Sequence, residues 1–437
     1  MLLEYSVSNF RSFFDHIYLD LHPPASKVKN RYPGNFVQLP SGEKVLKDAV
    51  IVGENAGGKT NFVDSLSYLR QLITRTDRPP RSLPKYVNSK NLVTVERDEG
   101  KNRRIGYDSK ASMSKQEFSI TIALEDATYC YELTIDAKRL LFESLVYQKG
   151  KGKKEIPVFS FVAKDPQKCV SCEEKDDCEK REDGVDGCIK YVLDYMDPDS
   201  DFDDKLIEAL NDSERPFPSI ALVRLAILGE KRCKDVLNWL MDDLIISRST
   251  ESDFLQALEE SGELKSVLES SEYLEILQLI DQSICGFRCD REKPFEDSYI
   301  LRRDNEGKIF YRVVKDDSAG VGQYLYWAFY VYEVVHNNKT VIADEIDSAI
   351  NPIMSDKILA FINGTYHTGQ FIFTTHNIFN LTLRTFMKEQ IYFVTKDQKT
   401  LTSSFYSLAD FDEIRYDVKE ELYEFYMRGV LGGTVDV

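Results

Sequence analysis

Ile17, Leu19 and Leu21 alternate in "IYLDLHP", and residues 1 to about 55 read as strands. "DAVIVG" is a short apolar run suited to a buried strand. After it, Phe62, Leu66, Leu69 and Ile73 recur at helical spacing, and the prolines of "TDRPPRSLP" stop that helix. From Phe118 to Tyr147 the segments "FSITIALED", "TYCYELTI" and "LFESLVY" alternate and carry β-branched residues, which predicts an antiparallel sheet. Residues from about 156 to 290 differ: a cysteine-rich acidic loop leads into "CKDVLNWLMDDLI" and "SSEYLEILQLIDQSI", both read as amphipathic helices. "SYILRRDNEGKIFYRVV" reads as a hairpin turning at Asn305–Gly307. "LYWAFYVYEVV" reads as a buried helix, "TVIADEID" as a strand over Thr340–Ala343, and "QFIFTTHN" as an apolar strand ending in Thr374, Thr375 and His376. No repeat or low-complexity tract interrupts this pattern.

Between the strand "DAVIVG" and its following helix lies G-E-N-A-G-G-K-T, Gly53 to Thr60, which fits G-x-x-x-x-G-K-[ST] without a gap. Glycines let successive backbone N–H groups point inward at phosphate oxygens, and the helix presents its positive dipole end to the anion. In this reading Gly53, Glu54, Asn55, Ala56, Gly57, Gly58, Lys59, Thr60 and Asn61 surround the phosphates of ATP. Lys59 reaches the β- and γ-phosphates, and Thr60 offers its hydroxyl to Mg²⁺. Such a loop needs a carboxylate on a neighbouring strand. Asp344 and Glu345 supply it: Asp344 supports the Mg²⁺ and Glu345 orients and deprotonates the attacking water. His376 falls at the tip of a later strand and is placed to touch the γ-phosphate. Ser318 and Gly320 precede the long helical stretch, where a cap and free N–H groups form a second phosphate-binding geometry. The plainer alternative, Ser318 or Asp317 as an ordinary cap, is compatible with it.

Length changes the picture modestly: 437 residues suggest about two to four domains. We expect residues 1–155 to form a first ATPase lobe, 156–290 a helical insertion with the cysteine cluster, and 291–437 a second lobe. A hydrophobic fraction of 42% supports real cores, and no apolar run is long enough to span a membrane. "MLLEYSVSNFRSF" carries an early glutamate and no apolar core, so no signal peptide is expected. The eight cysteines are then thiols or metal ligands rather than disulfides, and the expected setting is cytoplasmic. The net charge of −17 argues against non-specific coating of nucleic acid. That charge is uneven. Residues 165–204 hold 15 acids and 5 bases, net −10, whereas 70–104 hold 10 bases and 4 acids, net +6. The basic run reads either as a DNA contact or as a solvated face.

Cys169, Cys172, Cys178 and Cys188 are spaced C-x2-C-x5-C-x9-C. Four thiolates can close a tetrahedral Zn²⁺ site; an iron–sulfur cluster and unliganded thiols are the alternatives. Cys130, Cys233, Cys285 and Cys289 read as ordinary residues.

In this order the motifs resemble the ABC-type ATPases of the SMC/RecF/OLD kind: the opening "YSVSNFRSF", the phosphate loop, S-A-G before a helix, the D-E strand followed by "IDSAINP", and the T-T-H strand tip. The chain is most similar to compact ATPase subunits of bacterial anti-phage systems such as the PARIS, Septu and OLD-like groups, and the ending "YEFYMRGVLGGTVDV" is similar to their tails. The resemblance implies an α/β fold, an ABC-type head with a P-loop core sheet and an antiparallel β-lobe, carrying the helical insertion. It implies a homodimer or higher homo-oligomer in which Lys59, Thr60, Asp344, Glu345 and His376 act in cis. Ser318 and Gly320 act in trans, with Asp347 near the seam. The signature reads S-A-G-V-G-Q rather than the leucine-led form, and no glutamine stands out as the Q-loop residue beyond Gln116 as a guess. The middle segment is too short for a long coiled coil, and about sixty residues after His376 leave no room for an appended nuclease domain. The resemblance therefore implies an ATPase sensor or regulator of a separate effector protein, a nuclease or toxin, answering a phage-derived trigger. The alternative is a RecF/SMC-like repair or recombination ATPase that binds DNA directly.

Overall fold

The computed structural model describes residues 1–74, 115–124, 126–135, 140–164, 190–200, 202–211, 220–247, 264–289, 295–345, 352–378, 382–416 and 422–431. Two large sheets dominate. The first is antiparallel and seven-stranded, built from β1 (Leu2–Ser8), β2 (Ile17–Asp20), β6 (Gln116–Ala123), β7 (Thr128–Ile135), β8 (Leu140–Gln148), β9 (Glu155–Lys164) and β10 (Lys190–Met196), in the order β10-β9-β8-β7-β6-β1-β2. A small pair, β3 (Phe36–Gln38) and β4 (Lys44–Leu46), lies between the first strands and β5 (Asp48–Gly53) in sequence.

The second sheet is six-stranded and almost wholly parallel. It contains β5, β11 (Leu244–Ser247), β15 (Thr340–Ala343), β16 (Gln370–Thr375), β17 (Ile391–Lys396) and β18 (Ser403–Ser407), in the order β11-β15-β16-β5-β17-β18. Only β18 runs antiparallel to its neighbour. A third, three-stranded sheet holds β12 (Ile284–Arg288) and the expected hairpin of β13 (Tyr299–Arg303) and β14 (Ile309–Val313), whose turn carries Gly307 at φ 86°.

The parallel sheet explains its own sequence. Every residue of β5, β15 and β16 is buried, so these strands read as continuous apolar runs rather than alternating ones. Their side chains serve two cores. Ala49, Ile51, Ile342, Ile372 and Val394 face one that also holds Phe62, Leu66 and Leu69 of helix α1 (Lys59–Thr74). Val50, Val52, Val341, Phe371 and Phe373 face the other, filled by Trp327 and Phe329 of helix α2 (Ala319–Val335). Trp327 lies 5.2 Å from the Phe371 ring and 6.1 Å from that of Phe373. The expected buried helix "LYWAFYVYEVV" is thus the lid on one face of the sheet. On the other face, Phe62 meets Tyr5 edge-on at 5.9 Å, joining α1 to the antiparallel sheet.

The stretch expected as a helical insertion is more sheet-rich than its pattern suggests. β9 and β10 extend the antiparallel sheet by two strands. "CKDVLNWLMDDLI" is helical only over Lys231–Asn238; a π-helical turn at Trp239–Asp243 ends it, and β11 then pairs in parallel with β15. In "SSEYLEILQLIDQSI" the helix stops at Gln278, and Ile284 opens β12. The helical pieces of this stretch are short and tied to the sheets. Arg232 pairs with Asp197 at 2.6 Å, and buried Glu143 of β8 accepts hydrogen bonds from the N–H groups of Ala221 and Leu222 that open the helix Ala221–Leu228.

Candidate active site

Parallel register decides where the site forms. Thr375 pairs with Val52 and Ala343 with Phe373, so β5, β15 and β16 end at one edge of the sheet. Gly53, Asp344 and His376, each at or just past a strand end, therefore converge. Carboxyl ends of parallel strands are where α/β sheets place ligands.

The loop after β5 is shaped by close approach. A Cβ on Gly53 would sit 2.3 Å from the carbonyl oxygen of Val394, because β17 pairs directly alongside. Gly58 has φ 124°, a conformation L-residues rarely adopt, and a Cβ there would lie 2.8 Å from the Ser403 hydroxyl. Ala56 is left-handed at φ 61°. Gly57, Gly58 and Lys59 are buried, whereas Asn55, Ala56 and Thr60 are exposed. Lys59 Nζ donates to the carbonyls of Gly53 at 2.8 Å and Glu54 at 3.0 Å, and lies 3.2 Å from His376 Nδ1.

The acidic strand end meets this loop directly. Thr60 Oγ1 donates to Asp344 Oδ2 at 2.8 Å, and Thr374 Oγ1 donates to Asp344 Oδ1 at 2.6 Å. Glu345 has φ 49°, which for a non-glycine residue costs roughly 1–2 kcal/mol. Its N–H donates to Thr374 Oγ1 at 2.9 Å, and its Oε1 lies 2.7 Å from His376 Nε2. These contacts fix the imidazole's tautomer. An ammonium can only donate, so Nδ1 accepts from Lys59, and Nε2 carries the proton that goes to Glu345. Lys59, His376 and Glu345 thus form one chain of hydrogen bonds.

The five residues expected to act in one head therefore gather in two hydrogen-bonded groups, Thr60 with Asp344 and Lys59 with His376 and Glu345, which Thr374 joins. Ser318 is the N-cap of α2: its hydroxyl accepts from Val321 N–H at 3.3 Å, so the capping alternative describes its contact here. Gly320 lies in the first turn of that helix and makes no hydrogen bond to the loop among the described residues. Asp317 accepts from Ser318 N–H and pairs with Arg302 at 2.6 Å. Gln116 donates to the Asn9 carbonyl at 3.0 Å. Cys169, Cys172, Cys178, Cys188, Asp347 and residues 75–104 of the basic run lie outside the described residues. Arg70, at the start of that run, donates to the Leu244 carbonyl at 2.8 Å and is structural. Cys130, Cys233, Cys285 and Cys289 carry free thiols.

Several contacts around the loop are not apparent from the sequence motif. Arg11, itself left-handed at φ 50°, donates to Asn61 Oδ1 at 3.2 Å and pairs closely with Asp64 on α1. Asn61 Nδ2 donates to the Ser12 hydroxyl at 2.6 Å. The Ser403 hydroxyl lies 2.8 Å from that of Ser12 and also donates to the Gly57 carbonyl. The segment "NFRSF" and strand β18 thus clasp the loop from behind.

No protein-family model matches the chain, and no curated protein does. Among solved structures it is similar to an SMC head domain from Thermotoga maritima, at 11% identity and TM-score 0.38, covering 93% of this chain and 98% of that one. It is also similar to an Smc head bound to the C-terminal winged-helix domain of ScpA, at 12% identity and TM-score 0.39, covering 94% and 99%. A third is an Smc head with an extended coiled coil bound to the C-terminal domain of ScpA derived from Pyrococcus furiosus, at 12% and 0.38, covering 94% and 97%. No helix among the described residues is long and apolar enough to cross a membrane.

Proposed function

We propose that this chain binds ATP with Mg²⁺ and hydrolyses it as an ABC-type ATPase. The observation that carries the reading is the joining of the phosphate loop to the acidic strand end: Thr60 bonds Asp344 at 2.8 Å, while His376 lies between Lys59 and Glu345 at 3.2 and 2.7 Å. The residues present suit the ligands. The glycine turn packs its backbone directly against Val394 and Ser403, and the Thr60 hydroxyl with the Asp344 carboxylate forms the hard oxygen set that Mg²⁺ prefers. Bound there, Mg²⁺ supplies positive charge to the phosphate oxygens. Lys59 holds the phosphates, Glu345 takes the proton of the attacking water, and His376 links Lys59 to Glu345. Phosphoryl transfer is mainly positioning and charge placement, which is what rigid strand ends provide.

The finer reading rests on the resemblance of the motifs. The chain dimerises around ATP, with Ser318 and Gly320 completing the partner's site, and acts as sensor or regulator of a separate effector in anti-phage defence. The cap at Ser318 supports this in one respect: a helix N-terminus with exposed Ser318 is a place where a phosphate can dock. The test uses three variants. Lys59→Ala is expected to lose nucleotide binding and turnover together. Glu345→Gln should bind ATP normally and lose at least 100-fold in turnover, a scale on the order of that for removing a principal catalytic group. Ser318→Arg should bind ATP as a monomer yet neither dimerise nor turn over. Wild-type turnover in Glu345→Gln would remove the base from this account, and normal dimerisation and turnover in Ser318→Arg would remove the trans arrangement.

A further inference from the structure

We infer that Thr374 is the positioning residue that sets both acids of the site, an inference that rests on the ATPase reading above. Thr374 is fully buried at the end of β16, one strand over from the acids. A β-branched residue at the end of a buried strand is ordinarily packing, but this hydroxyl is held by two partners that each act in one direction only. The Glu345 N–H can only donate, so Thr374 Oγ1 accepts it at 2.9 Å. The hydroxyl proton must then go elsewhere, and it goes to Asp344 Oδ1 at 2.6 Å. The rotor has no freedom left, and the direction of every bond is fixed: Glu345 N–H to Thr374, Thr374 O–H to Asp344, with Thr60 O–H arriving at the other carboxylate oxygen.

Three consequences follow. Asp344 accepts on both oxygens, from Thr60 at one and from Thr374 at the other. Its plane is fixed between α1 and β16, so Oδ2 is aimed at Thr60. The Glu345 backbone is held in its left-handed conformation by a bond to a different strand, and that conformation turns its side chain toward His376. One hydroxyl thereby coordinates the cation-supporting acid and the base. A side chain there without the hydroxyl would leave Asp344 Oδ1 and the Glu345 N–H without this partner.

The test compares Thr374→Val, which keeps the shape and removes the hydroxyl, with Thr374→Ser, which keeps the hydroxyl. Wild type, Glu345→Gln and both variants are assayed for nucleotide affinity without metal, for the Mg²⁺ concentration giving half-maximal turnover, and for maximal turnover, with melting temperature as a control. Thr374→Val is expected to bind nucleotide without metal as wild type does, to need about 10- to 100-fold more Mg²⁺, and to turn over about 10- to 100-fold more slowly, the range found when a group orienting a metal-site ligand is lost. Thr374→Ser is expected to restore both to within a few-fold. Thr374→Val with wild-type Mg²⁺ dependence and turnover, whatever its melting temperature, overturns the positioning role alone. A loss in Thr374→Val that Thr374→Ser shares equally overturns it too, since the methyl group and not the hydroxyl would then matter. Absence of ATP turnover in wild type overturns the ATPase reading, and this inference with it.

Discussion

Gly58→Ala is the sharpest probe of how the loop is held. The native φ of 124° lies where only glycine is at ease, and a Cβ would stand 2.8 Å from the Ser403 hydroxyl and 3.2 Å from that of Ser12. Backbone strain of this kind costs about 1–3 kcal/mol. Relieving the contact means turning Ser403 away from the Gly57 carbonyl and Ser12, which forfeits about 1 kcal/mol of hydrogen bonding. Together the expected loss is about 2–4 kcal/mol if the fold keeps its loop. The alternative is a local flip that spares stability and displaces the N–H groups meant for phosphate. Denaturant unfolding and nucleotide binding, measured together, separate the two. The two hydroxyls also predict a coupling. Ser403→Ala removes the atom the new Cβ would strike, so the double variant should lose less than the sum of the singles by about 1 kcal/mol, within the range for residues in contact. Gly58→Ala that is as stable and binds nucleotide as tightly as wild type would refute the packing argument. Strict additivity with Ser403→Ala would place the strain in the backbone alone.

Acid titration should expose the buried carboxyls. Burial pushes Glu143 up to about 7 despite its helix and Tyr131 hydrogen bonds, and pushes Asp48 up to about 7 despite Asn363. Between the unfolded value near 4.5 for glutamate and 7, the folded state holds a proton that the unfolded state has lost. Stability therefore falls as pH rises through that window, by up to about 1.4 kcal/mol per pH unit for each group, and levels off above it. Glu143→Gln should be less stable overall yet show a shallower fall between pH 5 and 7 (roughly one group's worth), and an unchanged slope would contradict the assignment. At the cysteine cluster we propose zinc: purified protein should carry about one Zn²⁺ per chain, lost on Cys169→Ser with Cys172→Ser. Metal analysis finding neither zinc nor iron would leave four unliganded thiols.

The readable parts of this fold are those whose evidence is local. β5, its glycine turn and α1 are contiguous, so strand, loop and helix announce one another within Asp48–Thr74. The hairpin of β13 and β14 is legible for the same reason. β11 is not: Leu244–Ser247 is only four residues long and follows a helix directly, and its apolar content serves pairing with β15, about a hundred residues later in the chain. β9 and β10 escape notice because they flank the acidic cysteine segment, whose composition dominates any window placed across them. The site divides along the same line. Lys59, Thr60, Asp344, Glu345 and His376 belong to short patterns with a stated chemistry. Ser12, Thr374 and Ser403 are common residue types whose importance depends on contacts such as Ser403 with Gly57, 346 positions apart. Only the fold makes them specific.

The side chains of the site bond one another and the loop, and that shapes what a ligand must do. Lys59 donates to two loop carbonyls, so a phosphate gains only the difference between its own charge-assisted bonds and those it replaces. The exchange has a further effect because His376 Nδ1 accepts from the same ammonium. Drawing Lys59 toward a phosphate removes the donor that selects the tautomer with its proton on Nε2, and that proton is the one facing Glu345. The imidazole is then free to present a donor from Nδ1 toward the new anion, which withdraws the proton from Glu345 and leaves its carboxylate free to accept one from water. On the ATPase reading proposed above, phosphate binding at the loop and the hydrogen bonding of Glu345 are coupled through this single ring.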